Sequence, residues 1–192
     1  MDCFVDCRVV PDADFTAPIL MNALFSKLHR RLCDTSPAAG PVLVSFPEYA
    51  KTLGGVLRLH GTREALEQRI GALDWIGGLS GYVRRSVIHP VPETAEYVSV
   101  RRVHGRKDAS RFRRLVRRGR ITQQQADQLI AERPSVDLPY LRLASNSNGQ
   151  TYCAFVSQHR VKGPVHAPAD SVNSLGFVRD TGAVLPFFQA SV

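Results

Sequence analysis

The sequence predicts an α+β protein, because strand and helix patterns alternate in its first half and a second group of both follows after residue 95. Hydrophobic residues make up 44% of the 192-residue chain and charged residues 22%, a composition typical of a folded globular protein. The chain also carries 25 lysines and arginines against 17 aspartates and glutamates, a net charge of +8. A folded core with a basic surface is therefore expected.

Six elements are predicted in the first half, in the order β-α-β-β-α-β. Hydrophobic patterns and turn residues predict strands at residues 3–10, 41–46, 55–60 and 79–89. Thr16 predicts the cap of a helix that runs to about Leu32, and Thr62 that of a helix to about Leu73. This order is typical of the ferredoxin-like fold, in which two helices cover one face of an antiparallel sheet. Residues 1–94 are assigned to this domain.

Residues 95–192 are predicted to form a second, smaller α+β module. One extended segment is expected to about Val103, followed by an arginine-rich helix. The next helix begins with a capping box, in which Thr122 and Gln125 each accept a backbone N–H of the other. Strands are expected at residues 139–145 and 151–157, joined through Asn148-Gly149, and at about 171–178 and 183–188, with a turn at Gly182.

The excess positive charge is concentrated in residues 101–120. This segment has ten basic residues and one acidic residue, Asp108, so its charge is +9 and the rest of the chain sums to about −1. A helical wheel separates an apolar face, Phe112, Leu115 and Val116, from a basic face, Arg113, Arg114, Arg117 and Arg118. A solvated face on an ordinary core helix is one interpretation, but the concentration of charge favours a nucleic-acid partner.

Four further residues are candidates for chemistry. His29 falls just beyond the apolar face of the first helix, so a half-exposed side chain is expected, either ordinary or functional. Ser145 and Ser147 lie at the tip of the predicted hairpin, where turn formation alone explains them equally well. Tyr152, on the returning strand, is either a core residue or a ring on which a base stacks.

Neither a metal site nor a membrane segment is predicted. Cys3 and Cys7 fall on one side of an alternating strand as core residues, and no second Cys/His pair has zinc-ligand spacing. The longest apolar run is well short of the roughly 18–20 residues of a membrane helix, and the acidic start lacks the basic flank of a signal peptide. We therefore expect a soluble, cytoplasmic protein without disulfides.

Taken together, these segments resemble the CRISPR repeat-processing endoribonucleases of subtype I-F. The resemblance extends over nearly the full length, and its most specific stretches are Leu20-Met21-x-x-Leu24-Phe25-x-Lys27-Leu28-His29, Val44-Ser45-Phe46-Pro47, Ser99-x-x-Arg102-Val103, Arg111-x-Arg113-Arg114, Leu138-Pro139 and Ser145-x-Ser147-x-Gly149-Gln150. It implies a ferredoxin-like domain followed by a module with an arginine-rich helix. It also implies that the RNA is cut at the 3′ base of the repeat stem.

The resemblance implies a metal-free reaction without a cofactor. His29 matches the general base that takes the proton of the 2′-hydroxyl upstream of the scissile phosphate, and Ser145 matches the serine that holds this hydroxyl. Ser147 matches a serine that supports the backbone at the cut. The products are a 2′,3′-cyclic phosphate and a 5′-hydroxyl. Leu175 stands where the family has a tyrosine that orients the histidine, so either another group orients His29, with Ser174 or Asn173 as candidates, or cleavage is slower than usual.

The resemblance also implies the RNA contacts and the partners. Arg102 matches an arginine that reads O6 and N7 of one guanine, and Tyr152 matches an aromatic residue that stacks beside the terminal base pair. The remaining RNA contacts are assigned to Arg106, Lys107, Arg111, Arg113, Arg114, Arg117, Arg118, Gln150 and His104, which stands in place of a common glutamine. The implied partners are the repeat hairpin and the other subunits of a type I-F effector complex.

Two alternatives remain at this point. A catalytically weak or inactive subunit of the same complex would bind the hairpin through the same surface, with His29 in a purely structural role. A DNA-binding regulator would also use a basic helix, but it gives no reason for His29 and the serine tip to match together. Binding to a duplex DNA copy of the hairpin distinguishes this regulator from the RNA binders.

Overall fold

In the computed structural model the chain forms two antiparallel β-sheets with helices packed against them. The structure describes residues 1–93, 95–103, 108–131, 136–144, 150–163, 172, 175–177 and 183–190. No helix within these ranges is long and apolar enough to cross a membrane. The α+β class is confirmed.

The first sheet has the strand order of the predicted ferredoxin-like fold. Its elements are β1 (Cys3–Val9), α1 (Ala17–Asp34), β2 (Leu43–Ser45), β3 (Val56–Gly61), α2 (Arg63–Ile70), β4 (Val83–Arg85) and β5 (His89–Pro90). The order across the sheet is β2-β3-β1-β4, and β5 also pairs with β1. The edge strand predicted over residues 79–89 is wrong in extent. Ser86 interrupts it, because its hydroxyl accepts the N–H of Asp6 at 3.0 Å in place of a strand partner.

The helix ends agree only in part with the predicted caps. Thr16 occupies the N-cap of α1 as predicted, although its side chain makes no capping hydrogen bond. Thr62 caps α2 as predicted, since its hydroxyl accepts the N–H of Ala65 at 3.1 Å. α2 ends at Ile70, three residues early, and Gly71 forms its C-cap.

The last turn of α1 is fixed by a buried arginine from α2. Arg69 donates from Nη2 to the carbonyl of Leu32 at 2.8 Å and from Nε to the hydroxyl of Thr35 at 3.2 Å. Its own carbonyl accepts from Nε of Arg31 at 2.8 Å. The free carbonyls at a helix end need such partners. The part of α1 that carries His29 is therefore held in place.

The second sheet has the order β7-β8-β6-β9 and follows the predicted sequence of elements closely. They are β6 (Glu96–Val103), α3 (Asp108–Arg117), α4 (Gln123–Ala131), β7 (Tyr140–Ala144), β8 (Thr151–Val161) and β9 (Ala183–Phe187). α3 packs on α4. The capping box is confirmed: the N–H of Thr122 donates to Oε1 of Gln125 at 2.9 Å, and the N–H of Gln125 to Oγ1 of Thr122 at 3.1 Å.

The predicted strand near residues 171–178 is wrong where it is described, because Leu175 and Gly176 form a turn. Gly176 has φ +73°, and a Cβ there would come within 2.9 Å of Val44, so only glycine fits. The N–H of Val44 donates to the carbonyl of Gly176 at 3.1 Å. Asn148-Gly149 and Gly182 lie outside the described residues.

One hydrophobic core joins the two sheets. Val100 and Leu143 of the second sheet belong to the same buried cluster as the apolar face of α1. The Gln158 side chain forms two hydrogen bonds to the backbone of Phe46, at 2.9 and 2.7 Å, which couples β8 to the end of β2. The Tyr49 hydroxyl adds a 2.8 Å bond to the carbonyl of Val156. The division into domains at residue 94 stays a prediction.

Candidate nucleic-acid interface and active site

A polar stripe, half-buried over most of its length and exposed at Cys33, runs along α1 beside its apolar face. Asn22, Ser26, His29 and Cys33 are spaced at helical intervals and share this side. The half-exposure predicted for His29 is confirmed. Asn22 connects the stripe to the second sheet, because its Oδ1 accepts the backbone N–H of Arg142 in β7 at 2.8 Å.

α1 and β7 run in the same direction. Pro18, near the start of α1, lines a cavity with Pro139 and Tyr140, and one turn later Asn22 bonds to Arg142. His29 is the seventh residue after Asn22 in the helix, which places it about 10 Å further along the axis. Three residues of a strand also cover about 10 Å. His29 therefore lies level with the end of β7, whose last described residue is Ala144.

Two polar side chains of α1 lie one turn before and one turn after His29. Nδ1 of His29 lies 3.7 Å from Sγ of Cys33, one turn further along the helix. The hydroxyl of Ser26 donates to the carbonyl of Asn22 at 2.8 Å and is thereby engaged within the helix. Cys33 and Cys153 are exposed and form no disulfide, whereas Cys3 and Cys7 are buried as predicted.

Arg102 and Tyr152 project from the core side of the second sheet, beyond the edge of the core. On β6, Arg102 shares a face with the buried Val98 and Val100, because side chains alternate along a strand. On β8, Tyr152 shares a face with the buried Ala154. The guanidinium of Arg102 lies 5.1 Å from the centre of the Tyr152 ring. Tyr152 packs against the core with one side and remains half-buried, so both roles predicted for it are compatible with its position.

Arg102 also has an unused donor. Its Nε is buried and finds no acceptor among the described residues. Buried donors in proteins nearly always have a partner, so such an orphan group is suited to an acceptor on a ligand. The ring contact with Tyr152 holds the guanidinium over that ring. A planar donor fork held this way matches the two acceptors on one guanine edge.

The two predicted faces of α3 are confirmed. Phe112 is buried, and Leu115 and Val116 are half-buried, whereas the basic face is exposed: Arg113, Arg114, Arg117 and Arg118. No described acidic side chain lies within ion-pair distance of these four guanidinium groups. Their charges are compensated by solvent ions in the free protein, and release of such ions favours binding of a polyanion.

Several predicted site residues lie outside the described part of the chain. These are His104, Arg106, Lys107, Ser145, Ser147 and the side chain of Arg111, whose backbone belongs to α3, as well as Asn173 and Ser174. Gln150 is described and exposed, one residue before β8. Ser145 follows Ala144 directly in the sequence. Within the described ranges, no three histidine, cysteine or acidic side chains cluster as a metal site requires.

His60, a strand-end histidine in the sequence, belongs to the core. It is fully buried, and its Nε2 lies 2.7 Å from the hydroxyl of Ser45. Burial, assisted by the positive charge of Arg58, lowers the pKa of His60 to about 3. A histidine without access to solvent cannot exchange protons with a bound substrate. Of the two, only His29 is accessible.

Sequence reasoning missed three residues that shape this region. Asn22 connects α1 to β7, Cys33 contacts the His29 ring, and Arg69 holds the end of α1. The helical wheel that placed His29 also puts Asn22 and Cys33 on the same edge of α1, which was an available signal. For Arg69 the sequence offers none, because its partners at the end of α1 lie more than 30 residues away in the chain.

Known proteins resemble the chain over most of its length. The family model described as CRISPR-associated protein (Cas_Csy4) matches residues 4–188. The chain is 38% identical to the CRISPR-associated endonuclease Cas6/Csy4 of Escherichia coli (strain UTI89 / UPEC), an alignment that spans 81% of this chain and 85% of the relative. It is 30% identical to the CRISPR-associated endonuclease Cas6/Csy4 of Pseudomonas aeruginosa (strain UCBPP-PA14), over 98% of this chain and 100% of the relative.

Proposed function

Because the chain belongs to the Cas_Csy4 family of CRISPR-associated proteins, we propose that it is an endoribonuclease that processes CRISPR repeat transcripts in the cytoplasm. It binds the repeat stem-loop, cuts at the 3′ base of the stem without a metal ion or cofactor, and stays on the hairpin as a subunit of a type I-F effector complex. Two relatives named as endonucleases support the activity. The exposed arginines of α3 support the RNA partner.

His29 is the general base of the proposed reaction. Its imidazole removes the proton of the 2′-hydroxyl, and the resulting oxygen attacks the adjacent phosphorus in line as the bond to the 5′ oxygen breaks. That 5′ oxygen takes up a proton, which leaves a 5′-hydroxyl and a 2′,3′-cyclic phosphate. A half-exposed imidazole suits this step, because an ordinary histidine can accept a proton near neutral pH. The nucleophile belongs to the RNA itself.

The observation that carries this proposal is the alignment of α1 with β7. The hydrogen bond from Arg142 to Asn22 sets the register, and the similar distances along helix and strand bring His29 level with the end of β7. Ser145 is the next residue in the chain after that end. The proposed base thus lies on a helix that is bonded directly to the strand that Ser145, the proposed holder of the 2′-hydroxyl, follows in the sequence.

In the proposed recognition of the RNA, Arg102 reads a base and the arginines of α3 bind phosphates. Arg102 reads a guanine at the end of the stem, where the groove of the RNA hairpin opens enough for a side chain to enter. Tyr152 supports its guanidinium and offers the ring beside the terminal base pair. The exposed arginines of α3 line the phosphates of the groove. This arrangement separates sequence readout from affinity.

The test is cleavage of the protein's own repeat RNA in EDTA, followed by analysis of the new ends. We expect a 2′,3′-cyclic phosphate and a 5′-hydroxyl, and no cleavage of RNA with a 2′-deoxy sugar just upstream of the cut. His29→Ala should abolish cleavage yet leave hairpin affinity within a few fold, since affinity resides in the arginines. His159→Ala, which removes an exposed histidine of β8, is the matched control and should cleave normally.

Cleavage of the deoxy RNA at the normal rate would refute the proposed chemistry. A wild-type protein that binds its repeat tightly but leaves it uncut would favour the binding subunit without activity. Duplex DNA bound as tightly as the RNA hairpin would instead favour a regulator of DNA.

A further inference from the structure

We propose that Cys33 is a positioning residue for His29, an inference that rests on the proposed role of His29 as the general base. Sγ of Cys33 lies 3.7 Å from Nδ1 of His29, and both residues belong to α1, one turn apart. A thiol sulfur is a weak hydrogen-bond acceptor and its S–H a weak donor. This contact acts on the ring nitrogen that is not needed for catalysis.

In the proposed role, this contact sets which ring nitrogen accepts a proton. A neutral imidazole has one N–H and one lone pair, and the partner of one nitrogen sets the state of the other. When Nδ1–H donates to Sγ of Cys33, the lone pair lies on Nε2, which then serves as the base. The opposite arrangement, with the thiol donating to Nδ1, puts the proton on Nε2 and leaves no base there.

The surroundings keep the thiol in place. Cys33 lies between two residues that are tied to the end of the helix: the carbonyl of Leu32 accepts from Arg69 at 2.8 Å, and the hydroxyl of Thr35 donates to Arg31 at 2.8 Å. Ser26, on the other side of His29 along the stripe, has its hydroxyl bonded to the helix backbone. A turn held this way does not fray, so the backbone that carries Cys33 stays one turn from His29.

The cleavage test compares Cys33→Ala with Cys33→Ser, which keeps a hydrogen-bonding group at the same place. Under single-turnover conditions Cys33→Ala should cut about two- to tenfold more slowly, the effect expected for one hydrogen bond. Cys33→Ser should recover most of the rate. The control is Cys153→Ala, which removes the other exposed thiol, on the outer side of β8. It should cut normally, and all variants should bind the deoxy hairpin with unchanged affinity.

A second readout does not depend on cleavage. Nitrogen-15 NMR of the histidine ring, with the signals of His29 assigned through His29→Ala, shows which nitrogen carries the proton. In the wild type and Cys33→Ser we expect the proton on Nδ1, and in Cys33→Ala a mixture of both tautomers. A shift in this balance identifies an effect on the ring itself, which a general loss of stability would not produce.

The inference and the proposed function fail in different ways. If the wild type cuts its repeat and Cys33→Ala cuts at the same rate, or leaves the tautomers unchanged, the positioning role is refuted alone. A predominant Nε2–H form in the wild type would refute it as well. If the wild type does not cut, or His29→Ala cuts normally, the general-base assignment is refuted and the role of Cys33 falls with it.

Discussion

α1, which carries His29, and α3, which carries the arginines, are held in the protein in different ways. α1 buries six side chains in the common core, is hydrogen-bonded to β7 through Asn22, and has its last turn fixed by Arg69. Among the described residues of α3 only Phe112 is buried, and the helix packs mainly on α4. His29, the proposed base, is therefore held in position by the protein itself, whereas the arginines are a charged surface on a lightly attached element.

This difference indicates a division between stability and affinity. Geometry for proton transfer must be held within a fraction of an ångström, which a packed helix provides. Phosphate contacts tolerate adjustment, because their energy comes largely from charge and ion release. We call α1 and the first sheet the packed half of the molecule. Substitutions there should change the free energy of unfolding, and those in α3 should change RNA affinity alone.

The largest expected effect lies in the packed half. Arg58 is fully buried on the face of the first sheet away from α1, with Nε 2.7 Å and Nη2 2.8 Å from the carboxylate of Asp6. It also donates to the carbonyl of Phe188 at 2.9 Å, and its guanidinium carbon lies 3.7 Å from the centre of that ring. Arg58→Ala removes the cation that pairs with this buried carboxylate, so we expect a loss of about 3–5 kcal/mol in urea denaturation.

The control for Arg58 is another arginine of an ion pair. Arg8 is partly exposed and pairs with Glu48 at 2.9 Å. Arg8→Ala should lower stability by no more than about 1 kcal/mol, as is usual for surface pairs. Equal losses of unfolding free energy in the two variants would show that the buried ion pair stabilises the protein no more than the surface pair does.

The pH dependence of stability tests the same half. The unfolded chain protonates His60 near the ordinary pKa of 6.5, whereas in the folded protein burial lowers that pKa to about 3. Between these values the unfolded state binds more protons, so stability should fall by a few kcal/mol as the pH drops from about 6.5 towards 3. Urea midpoints across this range measure the slope. His60→Gln should flatten it, and His159→Gln, at an exposed site, should leave it unchanged.

Much of the fold follows from local patterns, and the exceptions have identifiable causes. Alternation of apolar residues predicted β1, because side chains of a strand point to opposite faces with a period of two. The edge strand failed because the Ser86 side chain replaces a strand hydrogen bond, which no periodicity reveals. α2 was predicted too long because the pattern continues past Gly71, where the helix ends.

The site was predictable where it depends on one element and not where it depends on several. The exposure of His29 and the basic face of α3 follow from a helical wheel. The bond between Asn22 and Arg142 joins residues 120 positions apart and appears only in the folded chain. The burial of Leu175 likewise appears only in the folded chain. This residue, at the position where the resemblance implies a tyrosine, is 4% exposed and lies in the core.

A smaller effect is expected at Arg102. This residue lies near the end of β6, the strand that precedes α3 in the chain. Its guanidinium lies over Tyr152, and its buried Nε has no acceptor among the described residues. Arg102→Ala should weaken binding of the cognate hairpin by about 1–3 kcal/mol, and a hairpin with the guanine replaced should lose less. Filter binding of both RNAs to both proteins gives the comparison. Equal losses on the two hairpins would indicate that Arg102 contacts only phosphate.

The smallest effect is expected at a single arginine of α3. Arg114 is exposed and has no described ion-pair partner, so removing it should leave the free energy of unfolding within about 0.5 kcal/mol of the wild type. Arg114→Ala should instead reduce the dependence of hairpin affinity on salt by about one phosphate contact, equally for all sequences. Arg63→Ala, which removes an exposed arginine of α2, controls for net charge and should keep the wild-type slope. A slope that falls equally in both variants would mean that overall charge, rather than the face of α3, attracts the RNA.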